Sequence, residues 1–130
     1  QDWTGFVPFE SMPHVEDPPS GALVNANNRV APEGGPFLGR EWPGDWRFRR
    51  IGELLGAAPL HDAAGFAAMQ MDTVSLLARG LVVPADAVLR RVPRPEAAAT
   101  ARALDLLLAW DGSAAPDRPE PLIFAAWGMR

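Results

Sequence analysis

The residues best suited to chemistry in this chain are the amides of Asn25-Ala26-Asn27-Asn28, followed by Arg29. A carboxamide N–H is a good donor for the negative oxygen that develops during acyl transfer. These amides close an apolar run, Gly21-Ala22-Leu23-Val24, with the composition of a buried strand. Side chains alternate along a strand, so Asn25 and Asn27 project to one side and Asn28 to the other. Amides crowded at such a strand's end must find partners, because an unpaired buried polar group costs roughly 1–3 kcal/mol. Taken alone, the spacing favours a turn, since Asn tolerates left-handed backbone and punctuates strand ends.

The elements that must position these amides follow from the pattern on either side. Pro8, Pro13, Pro18, Pro19, Pro32, Pro36 and Pro43 forbid a long helix before Asp45. Val7 and Phe9 suggest a short strand there, and residues 22–27 a stronger one. From Trp46 the period becomes helical, with Asp45 as N-cap, a helix over 46–55 and Gly56 as its stop. Phe48, Ile51, Leu54 and Leu55 form its apolar face, with Arg49 and Glu53 opposite. Arg47 falls on the apolar side, and a guanidinium turned inward there needs an anionic partner. Arg49 and Arg50 read as solvated or as local ion-pair partners.

Further helices are expected over 62–69 and 73–81, with Pro84 interrupting and starting a short helix over 84–90. The longest run is 95–110, where Ala97, Ala101, Leu104, Leu107 and Leu108 share a face and Gly112 ends it. An apolar segment over 121–129 follows. The expected class is α+β: an irregular β-containing N-terminal third followed by a mainly helical region. Residues 1–45 form a strand and loop segment carrying the Asn-Asn motif, and 46–130 a helical segment.

Composition narrows the function classes. A chain of 130 residues that is 48% hydrophobic has enough apolar material for a modest core. Its 14 Pro and 12 Gly, concentrated before Asp45 and after Asp111, suggest irregular segments laid over something else. A formal charge of −4 argues against a nucleic-acid partner. No apolar run reaches the roughly 18–20 residues of a membrane span, so no membrane partner is expected. Cysteine is absent, which excludes a thiol nucleophile and thiolate metal sites. His14 and His61 lie far apart and without companions, so no metal site is expected from them. Trp42, Trp46 and Trp110 read as core or interface packing. The chain has no basic start or apolar leader at Gln1-Asp2-Trp3 and reads as an interior piece of a larger protein.

Four blocks together carry a resemblance. Residues 3–13, 17–21 and 25–30, Trp46-Arg47-Phe48-Arg49-Arg50-Ile51 with Gly52-Glu53-Leu54-Leu55, residues 70–78 opening on Gln70-Met71-Asp72, and the leucine-rich run from Ala103 to Trp110-Asp111-Gly112 occur in an order and at spacings similar to the penicillin acylase (penicillin amidase) family. The chain resembles an interior fragment of that family's β-subunit, nearest the cephalosporin and glutaryl acylase branch.

The resemblance implies a fold and a chemistry. The fold is part of the four-layer αββα sandwich of N-terminal nucleophile hydrolases. The activity is hydrolysis of a linear C–N amide bond through an acyl-serine intermediate. In the family that serine opens the β-subunit, and its own α-amino group acts as base. Gln1 cannot play that part, so the chain alone is expected to be inactive. Asn27 matches the oxyanion-hole asparagine, and Arg47 the arginine that supports the substrate pocket. Asn25 and Asn28 stand as possible supporting residues behind Asn27. Gln70 and Asp72 are expected to be buried hydrogen-bonding residues without chemistry.

No cofactor is implied. The family's structural calcium is not expected, because Glu33, Glu41 and Asp45 are the only acids between Asn28 and Arg47 and none sits at the ligand position. The implied partners are the remainder of the acylase α- and β-subunits and an N-acyl small molecule: a β-lactam side chain, an acyl-homoserine lactone or another amide. The implied location of the parent enzyme is periplasmic or secreted. Unpaired strand edges and the apolar 121–129 segment also suggest a homo-oligomer of the isolated chain. The alternative to an acylase is a non-catalytic helical module that binds a partner through its apolar faces. An upstream reading frame carrying a self-exposed serine distinguishes the two.

Overall fold

The computed structural model describes residues 5–129. They contain a single 3-10 turn, Phe9–Ser11, and five α-helices: α1 Trp46–Gly56, α2 Ala63–Gln70, α3 Leu76–Leu89, α4 Ala98–Ala109 and α5 Glu120–Gly128. The chain divides into two compact units, one running to Pro59 and the other starting at Leu60.

The described residues contain no strand, which overturns the α+β expectation and the sheet of the implied sandwich. The only ladder pairing among them is an isolated antiparallel bridge between Val74 and Ser113. Apolar composition indicates that a segment can be buried in a sheet; it supplies no neighbouring strand to take its N–H and C=O groups. Residues 22–26 alternate in burial with the two-residue period of an extended chain. Ala22 and Val24 are half-buried and Ala26 buried, while Leu23, Asn25 and Asn27 are exposed. Without a ladder, the backbone at the end of this run pairs with side chains instead. The short strand expected at Val7 and Phe9 is likewise replaced, by the 3-10 turn in which Pro8 O accepts from Ser11 N at 3.0 Å.

In the first unit α1 begins where the proline-rich segment ends. Asp45 holds the N-cap position, but its side chain makes no capping bond; its carbonyl accepts from Arg49 N at 2.8 Å. The helix has no fully buried residue, and Phe48 and Ile51 remain partly exposed on the face read as apolar. Arg49 lies over the Trp46 ring, 5.4 Å from its centroid, a cation–π contact on the exposed side. Among the described residues of this unit, Ala26 is the one buried apolar side chain.

The second unit carries a small core. Ala78 and Val82 of α3 pack with Trp110, and Leu107 and Phe124 close over them. The Trp110, Phe124 and Trp127 rings follow one another at 5.6 and 5.9 Å in tilted geometry, the arrangement that aromatic quadrupoles prefer. Two helix starts are capped as their sequences demand. Asp62 accepts from Gly65 N at 2.7 Å and Ser75 from Ala78 N at 3.1 Å. The Asp111-Gly112-Ser113 turn then locks onto the start of α3. Gly112 O accepts from Ser75 N at 2.8 Å, Thr73 O from Ala114 N at 3.0 Å, and Trp110 Nε1 donates to Ser113 O at 2.8 Å. Gly112 sits at φ +82°, and a Cβ there would meet Arg79 Cγ at 2.9 Å and Ser75 O at 3.1 Å. Only glycine fits.

Helix α3 differs from expectation in two respects. It runs unbroken through Pro84, where the sequence suggested a stop and a new helix over 84–90. Its true start is Leu76, after Ser75, rather than Thr73. Gln70 is exposed and Asp72 half-buried, accepting from Val74 N at 3.3 Å; the expected pair of buried hydrogen-bonding residues is absent.

Candidate functional site

The amide cluster and α1 meet within the first unit. Asn25 Oδ1 accepts from Asn27 N at 3.0 Å, and Asn28 Oδ1 accepts from Ala26 N at 3.1 Å. These are the local side-chain to backbone bonds that make Asn a turn residue. Asn27 adopts φ +62°, the left-handed region, which Asn enters at less cost than most residues. Asn28 Nδ2 also donates to Arg29 O at 3.3 Å.

Arg47 reaches this turn from the first turn of α1. Its Nη2 donates to Asn27 Oδ1 at 2.7 Å and to Ala26 O at 3.0 Å. A guanidinium has only donors, so the Asn27 atom facing it is the oxygen. The amide nitrogen is therefore turned away, and among the described residues Nδ2 has no partner. A cation in a helix's first turn opposes the macrodipole by about 0.3–1 kcal/mol. Its place there is explained by the contact it makes and not by helix stability.

The sequence expectation for Arg47 needs one correction. Arg47 is exposed, and its partners are neutral oxygens, not the anion required by a buried guanidinium. Water still solvates the remaining donors, so no counter-ion is demanded. The strand alternation expected to separate the amides does not apply, because Asn27 sits in a turn; Asn25 and Asn27 are exposed and Asn28 is half-buried. Sequence reasoning missed Ala26. It contributes through its carbonyl and its N–H, and no side-chain signal marks such a residue beyond the N-x-N-N spacing around it.

The other candidates lie elsewhere. His14 Nδ1 is 3.2 Å from Met12 O, and the His61 ring meets Phe66 in tilted geometry at 5.6 Å. Among the described residues no three His, Cys, Asp or Glu side chains converge on a point that could hold a metal ion. Arg50 pairs with Glu53 at 3.0 Å along α1, as a local ion pair should. Gln1 lies outside the described residues. No helix among those described is long and apolar enough to cross a membrane.

Known proteins with similar sequences can now be set beside this geometry. Over 75 residues the chain is 41% identical to penicillin acylase 2 proenzyme of Pseudomonas sp. (strain SE83), covering 57% of this chain and 10% of that protein. Over 133 residues it is 30% identical to the acyl-homoserine lactone acylase QuiP of Pseudomonas fluorescens (strain Pf0-1), covering 95% of this chain and 16% of that protein. The QuiP acylase of Pseudomonas putida matches at 30% over 125 residues, 88% of this chain and 15% of that protein. The chain thus spans about a tenth to a sixth of the length of these relatives. No solved structure gives a significant match. The profile described as penicillin amidase matches residues 1–130, so the motif blocks around Asn27 and Arg47 lie in a chain that belongs to the penicillin amidase family.

Proposed function

We propose that this chain is part of an amidohydrolase in which Asn27 supplies the oxyanion-binding carboxamide and Arg47 fixes its orientation. The observation that carries the reading is the bond from Arg47 Nη2 to Asn27 Oδ1 at 2.7 Å, made together with the bond to Ala26 O. By occupying the oxygen side of the amide, Arg47 leaves the Nδ2 protons facing outward. A tetrahedral oxygen placed there receives a preorganised donor.

The chemistry follows the resemblance. A serine hydroxyl from elsewhere in the longer protein attacks the carbonyl carbon of a linear amide. Its proton passes to an α-amino base, the carbonyl π electrons move onto oxygen, and Asn27 Nδ2 donates to that oxygen. Collapse of the intermediate breaks the C–N bond, the amine leaves with the proton, and water then releases the acid from the acyl-serine. N-acyl compounds are the substrate class, a reading supported by relatives named penicillin acylase and acyl-homoserine lactone acylase. The partners are the rest of the acylase polypeptide and the amide substrate, and the location of the parent enzyme is the periplasm or the exterior.

The test is made in the full-length acylase carrying this chain. Asn27→Leu removes the donor and lowers kcat about 10²–10³-fold, with KM little changed. Asn27→Asp keeps the shape and the Arg47 partner but has no N–H, and falls by a similar factor. Wild-type turnover in both variants overturns the reading. The chain by itself turns over no amide substrate; release of an acid by the pure chain would remove the assignment of the nucleophile to another segment.

A further inference from the structure

We infer that Asn25 and Asn28 are positioning residues for Asn27, acting as hydrogen-bond acceptors that hold the two peptides on either side of Ala26 in the turn from which the carboxamide is presented. This rests on the oxyanion reading above.

The peptide joining Ala26 to Asn27 has one acceptor, Ala26 O, and one donor, Asn27 N–H, pointing in opposite directions across a planar trans unit. Arg47 Nη2 holds the first at 3.0 Å, and Asn25 Oδ1 holds the second at 3.0 Å. The plane is pinned at both ends. The preceding peptide is pinned as well, since Asn28 Oδ1 accepts from Ala26 N at 3.1 Å. Ala26 is 7% exposed, so its N–H has little access to water and needs that acceptor.

The pinned turn sets the direction of the functional amide. Asn27 sits at φ +62°, a conformation that a non-glycine residue keeps only when its surroundings hold it there. In the extended region the Cα–Cβ bond of Asn27 would point elsewhere, and Oδ1 would leave Arg47. Asn25 contributes one atom to this arrangement, its acceptor oxygen. A residue that keeps an acceptor at position 25 should therefore serve, and a residue of the same size without one should not.

The experiment has two readouts. In the chain itself, NMR reports the left-handed φ of Asn27 through its intraresidue amide to Hα coupling and contact, with circular dichroism as a check that α1 is intact. Asn25→Asp and Asn25→Ser retain the signature, whereas Asn25→Leu loses it. In the full-length acylase, Asn25→Leu lowers kcat about tenfold while KM stays within about twofold, and Asn25→Asp restores most of it. The parallel pair at position 28 behaves alike: Asn28→Asp keeps the acceptor and Asn28→Leu removes it. Asn27→Leu serves as the benchmark. If it abolishes turnover while Asn25→Leu changes neither the φ of Asn27 nor kcat, or if Asp and Leu at position 25 behave alike, the positioning role is overturned and the oxyanion reading stands. Unchanged kcat in Asn27→Leu overturns the oxyanion reading and takes this inference with it.

Discussion

An amide whose oxygen is bound to a cation is a better donor than a free one, because each hydrogen bond polarises the next. Arg47 does this to Asn27 while remaining solvated, so the turn gains positive potential without the cost of burying a charge. A different charged residue, Glu120, serves stability. It is buried in the first turn of α5, where a carboxylate also complements the helix dipole. The Arg118 fork grips both of its oxygens at 3.1 and 3.3 Å, and Arg118 also meets Asp111 at 3.2 Å. The Arg118 bond, helped by Glu120's own backbone N–H, holds the Glu120 carboxyl below the usual glutamate range. Asp111 is lowered too, chiefly by the Ser113 backbone N–H. A depressed folded pKa gives stability that is present above the unfolded value, about 4.3 for Glu, and is lost as pH falls through the folded value. The denaturation midpoint followed by circular dichroism is therefore expected to hold from neutrality to about pH 5 and to fall below about pH 4. Glu120→Gln lowers the plateau and flattens that acid limb; an unchanged acid slope in this variant refutes the assignment to Glu120.

At the scale of the elements, Pro84 is the informative case. Proline removes one helical bond and crowds the carbonyl four residues earlier, here that of Gly80. Both Pro84 and Gly80 are exposed, so water satisfies the freed carbonyl, while buried Val82 ties the middle of α3 to the core. Tertiary packing thus carries the helix across a residue that breaks it in isolation. Pro84→Ala is expected to raise the stability of the chain by about 1–2 kcal/mol, since an interior proline costs about 3 and the more flexible unfolded chain offsets part of the gain. A lower urea midpoint for Pro84→Ala would show that the proline is instead matched to its surroundings. The same contrast explains what was legible in the sequence. Helices α1, α2 and α4 could be read to within a few residues because their signals are local: Asp62 before α2, Pro95 before α4 and glycine beyond it, whereas 121–129 was legible only as an apolar segment. The conformation of 22–27 could not be read, because whether an apolar run becomes a strand depends on a neighbour that its own residues do not encode. The meeting of Asn27 with Arg47, 20 positions apart, was accessible through motif order. The bonds of Asn25 and Asn28 to the turn appear only in the coordinates.

At the scale of the whole molecule, the burden of apolar exposure is the decisive quantity. Among the described residues only Ala26, Leu76, Ala78, Val82 and Trp110 are buried apolar side chains. Phe6 is 98% exposed, Phe9 85%, Leu122 75% and Met129 82%. Each large apolar side chain left in water forgoes roughly 1.5–3 kcal/mol of burial, and monomeric proteins rarely tolerate contiguous apolar patches beyond a few hundred Å². The relatives that this chain resembles extend well beyond the matched region, which covers 10–16% of their length. The strand-edge ground for self-association has gone with the strands, but the apolar ground remains. The isolated chain is expected to form concentration-dependent oligomers, seen by light scattering coupled to gel filtration. Phe6→Ser with Phe9→Ser and, separately, Leu122→Ser should each shift the distribution towards monomer, because each removes exposed apolar area without touching a buried residue. If the wild-type chain stays monomeric at high concentration, the apolar ground for self-association is refuted.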